Sequence, residues 1–309
     1  MARLHCKTTL RMKKVINIFF AGLLSGLLFS CNDSNSRKVT SVEKVKIENN
    51  GVSIDYEDSK IGDTTLLFVH GWGINKTYWA NQFDFFSKKY RVVTVDLAGF
   101  GKSGKNRKNW TVEEFAKDVS AILTGLDLKN VILVGHSMSG SIIVETAINN
   151  PARVIGIIGV DNFKNLGVVE TPQSKEEAVN FYKAVRANYK EIVSEYVNQA
   201  LFSPSTDSLI RKRVLNDILN SDSVIAVDCL EQGDKYQIDE KLKSLKRKLY
   251  LINSDFAPTD TLVFKKNNID YNLFDIGATG HYPMLEKPDD FNSLLEKAIK
   301  EIGNKLDKK

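Results

Sequence analysis

Beyond position 40, short unbroken apolar runs alternate with longer amphipathic stretches, and this alternation sets the expected fold. The runs at 65–69, 91–95, 131–134, 154–160 and 248–253 are rich in Val, Ile and Leu, as strands buried on both faces are, and a further strand is expected at 271–275. Between and after them, apolar positions recur every three or four residues, predicting helices near 78–87, 112–125, 138–149, 259–267 and 289–304. Strands separated by helices of this length form a mostly parallel sheet flanked by its crossover helices. Upstream, 42–47 and 52–56 flank Asn49-Asn50-Gly51, a hairpin signal because Asn-Gly tolerates positive φ. Thr111-Val112-Glu113-Glu114 has the form of a capping box, and Pro151 after Asn149-Asn150 marks a helix stop.

The strand signal disappears between Asn162 and Lys246, where several amphipathic helices follow one another behind a second capping-box pattern, Ser174-Lys175-Glu176-Glu177. The expected organisation is therefore one α/β core made of 41–161 and 247–309, interrupted by a helical cap at 162–246. Phe181, Tyr182, Tyr189, Tyr196 and Phe202 give that cap an aromatic surface, which more simply glues it to the core than lines a pocket.

The N-terminus changes the picture of location. Lys13 and Lys14 precede the apolar stretch Val15 to Phe29, then Leu28-Phe29-Ser30-Cys31 leads into polar Asn32-Asp33-Ser34-Asn35-Ser36. A membrane-spanning helix needs about 20 apolar residues, so the stretch fits a cleaved signal peptide, 1–30, better than a permanent anchor. The pattern resembles bacterial lipoproteins. That resemblance implies lipid on Cys31, a polar tether over 31–40, and a protein held to a membrane of the bacterial cell envelope, facing the periplasm or exterior. An ordinary secreted protein is the alternative, and Met12 is a second candidate start because Met-Lys-Lys and the apolar run make a complete leader.

Charge follows from the same segment. Arg3, Lys7, Arg11, Lys13 and Lys14 precede Cys31 with no acidic residue among them, which accounts for the whole formal charge of +5. The remainder is near neutral and has no basic patch interleaved with aromatics, so nucleic acid is excluded as an expected partner. Of three cysteines only Cys229 lies beyond Cys31, which excludes a disulfide framework and leaves Cys229 as a small buried hydrophobe. No metal-ligand cluster, phosphate-binding loop or nicotinamide fingerprint is present, so no cofactor or metal is expected.

Candidate chemistry centres on Gly135-His136-Ser137-Met138-Ser139-Gly140, which places a serine between the strand Val131 to Val134 and a helix. A serine hydroxyl needs a base to take its proton and fixed donors to meet the oxyanion it creates. Of four histidines, His5 lies in the leader and His70 and His136 in glycine-rich motifs, leaving His281 in Gly280-His281-Tyr282-Pro283 as the base. A carboxylate must then fix the imidazole tautomer. Asp255, close behind the strand 248–253, is the preferred acid, and Asp161, ending the strand 154–160, is its rival. Ser137, Asp255, His281 is the order nucleophile, acid, base.

With these segments the chain resembles α/β-hydrolase-fold serine hydrolases of the small-esterase and carbon–carbon-hydrolase type. His70-Gly71-Trp72-Gly73 matches the HGxG segment, Asp96-Leu97-Ala98-Gly99-Phe100-Gly101-Lys102-Ser103 the D-x-x-G-x-G-x-S turn, Gly135-His136-Ser137 the nucleophile elbow, and Gly280-His281 the base loop. Ser139 departs from the usual GxSxG, with Gly140 one place late, and Asn253 to Thr259 departs from the commoner G-x-x-D-x-x-x-P pattern around the acid. The resemblance implies an oxyanion hole of the Trp72 and Met138 amides, a cap at the position found here, and acyl transfer to water. It also excludes the haloalkane dehalogenase and epoxide hydrolase chemistries, which use aspartate at the elbow. The expectation is a carboxylic-ester hydrolase acting on a small or medium acyl group of a small-molecule ester. A carbon–carbon hydrolase or acyltransferase would use the same residues, and a non-catalytic binding protein is the alternative of another class.

Overall fold

The computed structural model describes residues 44–164, 166–167 and 171–306. The leader, Cys31 and the tether expected over 1–40 lie outside the described residues, and the described residues all fall within one compact unit, Lys44–Lys309.

The hairpin β1 (Ile47–Asn49) and β2 (Val52–Ile54) turns through Asn50 and Gly51, both at positive φ, as the Asn-Gly signal requires. The run expected to continue to 56 breaks at Asp55, whose amide donates to Ser103 Oγ at 2.8 Å. β3 (Tyr56–Asp58) then starts afresh as the antiparallel edge of a second sheet.

That sheet continues with β4 (Thr65–Val69), a 3₁₀ turn at Lys76–Trp79, α1 (Ala80–Phe86), β5 (Arg91–Val95), α2 (Val112–Gly125), β6 (Val131–His136), α3 (Ser139–Asn149) and β7 (Val154–Val160). Five helices follow before the next strand: α4 (Pro172–Ala187), α5 (Tyr189–Ala200), α6 (Ser208–Leu219), α7 (Ser223–Asp234) and α8 (Ile238–Ser244). β8 (Leu249–Asn253), α9 (Leu262–Lys266), β9 (Tyr271–Asp275), α10 (Pro283–Glu286) and α11 (Pro288–Leu306) complete the chain. Its strand order is β3-β5-β4-β6-β7-β8-β9, parallel from β5 to β9. Every residue of β4, β6 and β8 is buried, which is why these strands read as continuous apolar runs.

The helices fall into two groups: α1 packs on α11, and α2 packs on α3, with α7 on α2 and α8 on α3. Helix ends follow local side chains. Thr111 Oγ1 accepts from the Glu114 amide, but the Glu114 carboxylate bonds Lys117 instead of closing the box. The cap signal read at Ser174 belongs one turn earlier: Thr171 is the N-cap, Pro172 opens α4, and Ser174 is the residue that reaches back to the Thr171 amide. Chain direction across the sheet reverses between β4 and β6, and the loops after these two strands carry Trp72 and Ser137. Sites in open α/β sheets form at such a switch point, beyond the carboxyl ends of the strands.

Candidate active site

Ser137 stands at the sharp turn between β6 and α3 with φ 53°, a left-handed conformation that costs a non-glycine residue about 1–3 kcal/mol. Its amide donates to Val160 O at 3.0 Å and its carbonyl accepts from Gly140 N at 2.9 Å, which holds the turn. A Cβ at Gly140 would lie 2.5 Å from Asn162 Nδ2, so the close contact demanding glycine has moved one position along from its usual place. Ser139, where the pattern puts glycine, is fully buried and donates its hydroxyl to His70 O. Serine therefore adds a tie between the elbow and the loop after β4.

The loop between β9 and α10 delivers His281. Its amide donates to Leu201 O at 2.9 Å, while Glu286 accepts from the amides of Gly280 and Tyr282 on either side. His281 Nε2 lies 2.7 Å from Ser137 Oγ and Nδ1 lies 2.6 Å from Asp161 Oδ2. An ionised carboxylate only accepts, so Nδ1 carries the proton and bare Nε2 faces the serine hydroxyl. The three side chains make one hydrogen-bonded chain.

The carboxylate on the imidazole is thus Asp161 and not Asp255. Asp161 takes φ 48° immediately after β7, turning its side chain across the strand ends. Asp255 lies two residues beyond β8, exposed, and the position that reaches the site from β8 is Ser254, whose amide and hydroxyl both donate to Asp161 Oδ1 at 2.9 Å. Lys164 Nζ also meets that oxygen, at 2.6 Å. Burial works to raise the Asp161 carboxyl, but the hydrogen bonds and charges of His281 and Lys164 outweigh it and hold the group well below the usual carboxylate range.

Trp72 and Met138 both line the cavity beside Ser137, and among the described residues neither amide has a protein acceptor. The Trp72 indole donates to Ala226 O of α7 at 2.7 Å, fixing the loop from the cap side. Close approach of this loop to the elbow requires Gly71, where a Cβ would fall 2.6 Å from His136 Nδ1. His136 donates from Nε2 to His281 O at 2.7 Å, and its buried Nδ1 has no partner. Burial, followed by the neighbouring His281, pushes its pKa down to about 3, so it is neutral. His70 is buried away from the cavity, bonding Gly71 O through Nδ1 and accepting from Leu97 N through Nε2. It organises two loops. Asp96 does the same, receiving the amides of Lys76 and Lys102, while Ser103 donates to Asp96 O.

The cavity has a volume of about 230 Å³. Met138, Phe163, Leu201, Leu230 and Tyr282 supply much of its wall, with Asp234 as a carboxylate on it and no Lys or Arg among its lining residues. Of the five cap aromatics singled out from sequence, only Tyr196 lines it. Tyr189 instead bonds Ile218 O, and Phe202 packs on Tyr282. Cys229 lies on the wall, and burial pushes its thiol up, away from the reactive thiolate. No group of side chains suited to a metal ion occurs among the described residues.

Sequence reasoning did not find Lys164, Ser254, Asn162 or Asn253. Asn253 donates to Asn162 O at 2.9 Å and Asn162 to Gly135 O at 3.0 Å, stitching the turns after β8, β7 and β6 together. The available signal was polarity at a strand end: Asn253 ends β8, Ser254 directly follows it, and Asn162 lies two residues beyond β7.

Comparison with known proteins agrees with this fold. A pimeloyl-[acyl-carrier protein] methyl ester esterase of Legionella pneumophila is 28% identical, matching 76% of this chain and 95% of its own. A 2-hydroxy-6-oxononadienedioate/2-hydroxy-6-oxononatrienedioate hydrolase of Paraburkholderia phymatum is 26% identical over 78% of this chain and 89% of its own. Among solved structures, a thermophilic esterase from Thermogutta terrifontis superposes with a TM-score of 0.71 at 22% identity, covering 84% of this chain and 98% of that one. The family profile for the alpha/beta hydrolase fold matches residues 64–220, and with that match, the sheet order and the elbow together, the chain belongs to the α/β hydrolase fold family of enzymes.

Proposed function

We propose that this hydrolase cleaves carboxylic esters of small or medium acyl groups, with Ser137 as nucleophile, His281 as general base and acid, and Asp161 as the acid of the triad. The observation that carries the reading is the unbroken hydrogen-bonded chain from Ser137 Oγ through His281 to Asp161, opening on a cavity that also receives two unengaged amides. Ser137 Oγ attacks the carbonyl carbon as its proton passes to His281 Nε2, and Asp161 stabilises the imidazolium. The Trp72 and Met138 amides meet the oxyanion, each such donor contributing about 3 kcal/mol. His281 returns the proton to the departing alkoxide. Water, deprotonated by the same imidazole, then attacks the acyl-enzyme and frees Ser137.

The wall chemistry favours esters over the dioate named for the Paraburkholderia relative. A dioate brings two carboxylates, and among the described residues lining this cavity there is no Lys or Arg, while Asp234 is a carboxylate. Burying a carboxylate without a partner is costly. The esterase named in Legionella supports the same direction. Incubation with a fluorophosphonate probe should label wild type and not Ser137→Ala. A series of p-nitrophenyl esters of rising chain length should be turned over faster than vinylogous dioates. A folded wild type that takes no label, or that prefers the dioates, refutes the proposal.

The N-terminal pattern supports a further part of the reading: cleavage before Cys31, lipid on its thiol, and display from a membrane of the cell envelope. Among the described residues no helix is long and apolar enough to cross a membrane. Metabolic labelling with an alkyne fatty acid should mark the wild type and leave Cys31→Ser unmarked; equal labelling refutes it.

A further inference from the structure

We infer that Lys164 is a positioning residue of the Asp161–His281 pair, and that its ammonium governs how strongly Asp161 supports the imidazolium formed when His281 takes the Ser137 proton. The inference rests on the serine-hydrolase reading of this site and concerns a residue outside the triad.

The two oxygens of Asp161 have divided tasks. Oδ2 faces the imidazole, whereas Oδ1 receives the Ser254 amide, the Ser254 hydroxyl and Lys164 Nζ. A carboxylate oxygen has about two favourable acceptor sites, so Ser254 alone satisfies Oδ1. The third donor adds charge, which hydrogen-bond satisfaction does not require. It is a held charge: the Lys164 side chain is 11% exposed and that of Asp161 3%. The ammonium also donates to Ser254 O at 3.1 Å and Ser254 Oγ at 3.0 Å, and the Lys164 carbonyl accepts from Asp260 N, so it is fixed to the turn after β8 from both ends.

A cation on the far side of the carboxylate competes with the imidazolium that must form when Ser137 is deprotonated. The imidazolium is less stabilised than it would be beside an uncompensated carboxylate. The other titratable groups facing this pair do not offset the effect. His136, packed on the His281 ring from β6, is neutral. The Tyr282 phenol, buried beside it, is pushed up and stays protonated. Glu286 of α10 is occupied with the Gly280 and Tyr282 amides and the Thr206 hydroxyl. Across the cavity, burial raises the Tyr196 phenol, and Asp234 of α7 accepts from Tyr182. Asp255, beyond Ser254, is exposed.

The test uses the rate constant for fluorophosphonate labelling of Ser137 as a function of pH, which needs no knowledge of the substrate. Lys164→Met and Lys164→Gln should move the acid limb of the profile up by about one pH unit, and Lys164→Arg should restore the wild-type midpoint. Neutral variants that keep the wild-type midpoint overturn the inference, as does an Arg variant displaced as far as Met. Should Met fail to fold, Gln carries the comparison; failure of both, by circular dichroism, makes Lys164 a structural tie and overturns it equally. A folded wild type that takes no label instead refutes the underlying hydrolase reading.

Discussion

Asp161→Asn is the sharpest perturbation of the proposed machinery, because the surroundings dictate which way the new amide points. Three donors converge on Oδ1: Lys164 Nζ at 2.6 Å, and the amide and hydroxyl of Ser254 at 2.9 Å. An asparagine must turn its oxygen toward them, which leaves its NH₂ facing His281 Nδ1 at the present 2.6 Å contact. Two donors cannot share that contact, so Nδ1 gives up its proton and becomes an acceptor. The proton then sits on Nε2, opposite Ser137 Oγ, and the imidazole can no longer take the serine's proton. A wrong tautomer of this kind costs about 10⁴-fold in kcat. At 1.36 kcal/mol per tenfold, that is roughly 5.5 kcal/mol. Steady-state hydrolysis of p-nitrophenyl acetate, with the labelling rate at Ser137 as an independent measure, reads the effect. Asp255→Asn, altering an exposed carboxylate away from the imidazole, should stay within about twofold of wild type. An Asp161→Asn enzyme retaining a tenth of wild-type turnover, or an Asp255→Asn enzyme equally impaired, refutes the assignment.

Two further changes test the surroundings. His136 is pushed down to about 3, so between pH 6.5 and 3 the unfolded chain binds a proton that the folded one does not, and stability falls as pH falls through that window. Urea titrations of His136→Gln across it should show a flatter pH dependence, by up to about 1.4 kcal/mol per pH unit; an unchanged slope contradicts a neutral buried imidazole. Gly71→Ala would place a methyl 2.6 Å from His136 Nδ1 and 3.1 Å from Ser137 Cβ, forcing the loop that carries the Trp72 amide to move. Its kcat should drop on the order of 10²–10³-fold with a smaller change in KM, and a wild-type kcat would show that this amide is not used.

The inner strands were legible because burial on both faces writes an unambiguous apolar run. β4, β5, β7 and β9 have the ends that the pattern predicts. Ser137 and His281 were legible because each sits in a short motif whose glycine has a local backbone reason. The acid was harder. Sequence places carboxylates near the ends of both β7 and β8, but the choice between them depends on the φ of 48° at Asp161 and on Ser254 occupying the approach from β8. Neither is a periodicity. Lys164 was hidden for a related reason: a lysine in a loop reads as solvated until the fold shows that the adjacent turn surrounds it.

Ser139 shows how a departure from a motif can be a substitution of one interaction for another. The usual glycine would leave His70 O, inside the protein, without the hydroxyl that now donates to it. An unsatisfied buried carbonyl costs about 1–3 kcal/mol. Ser139→Gly, although it restores the commoner pattern, should therefore destabilise the protein by about that amount, and Ser139→Ala should match it because the donor is lost in both. Urea midpoints read the stability. Activity is informative too, since His70 begins the segment leading to the Trp72 amide: loosening it should lower kcat more than it raises KM. If the glycine variant is as stable and as fast as wild type, the hydroxyl is incidental and close packing at Gly140 alone maintains the elbow.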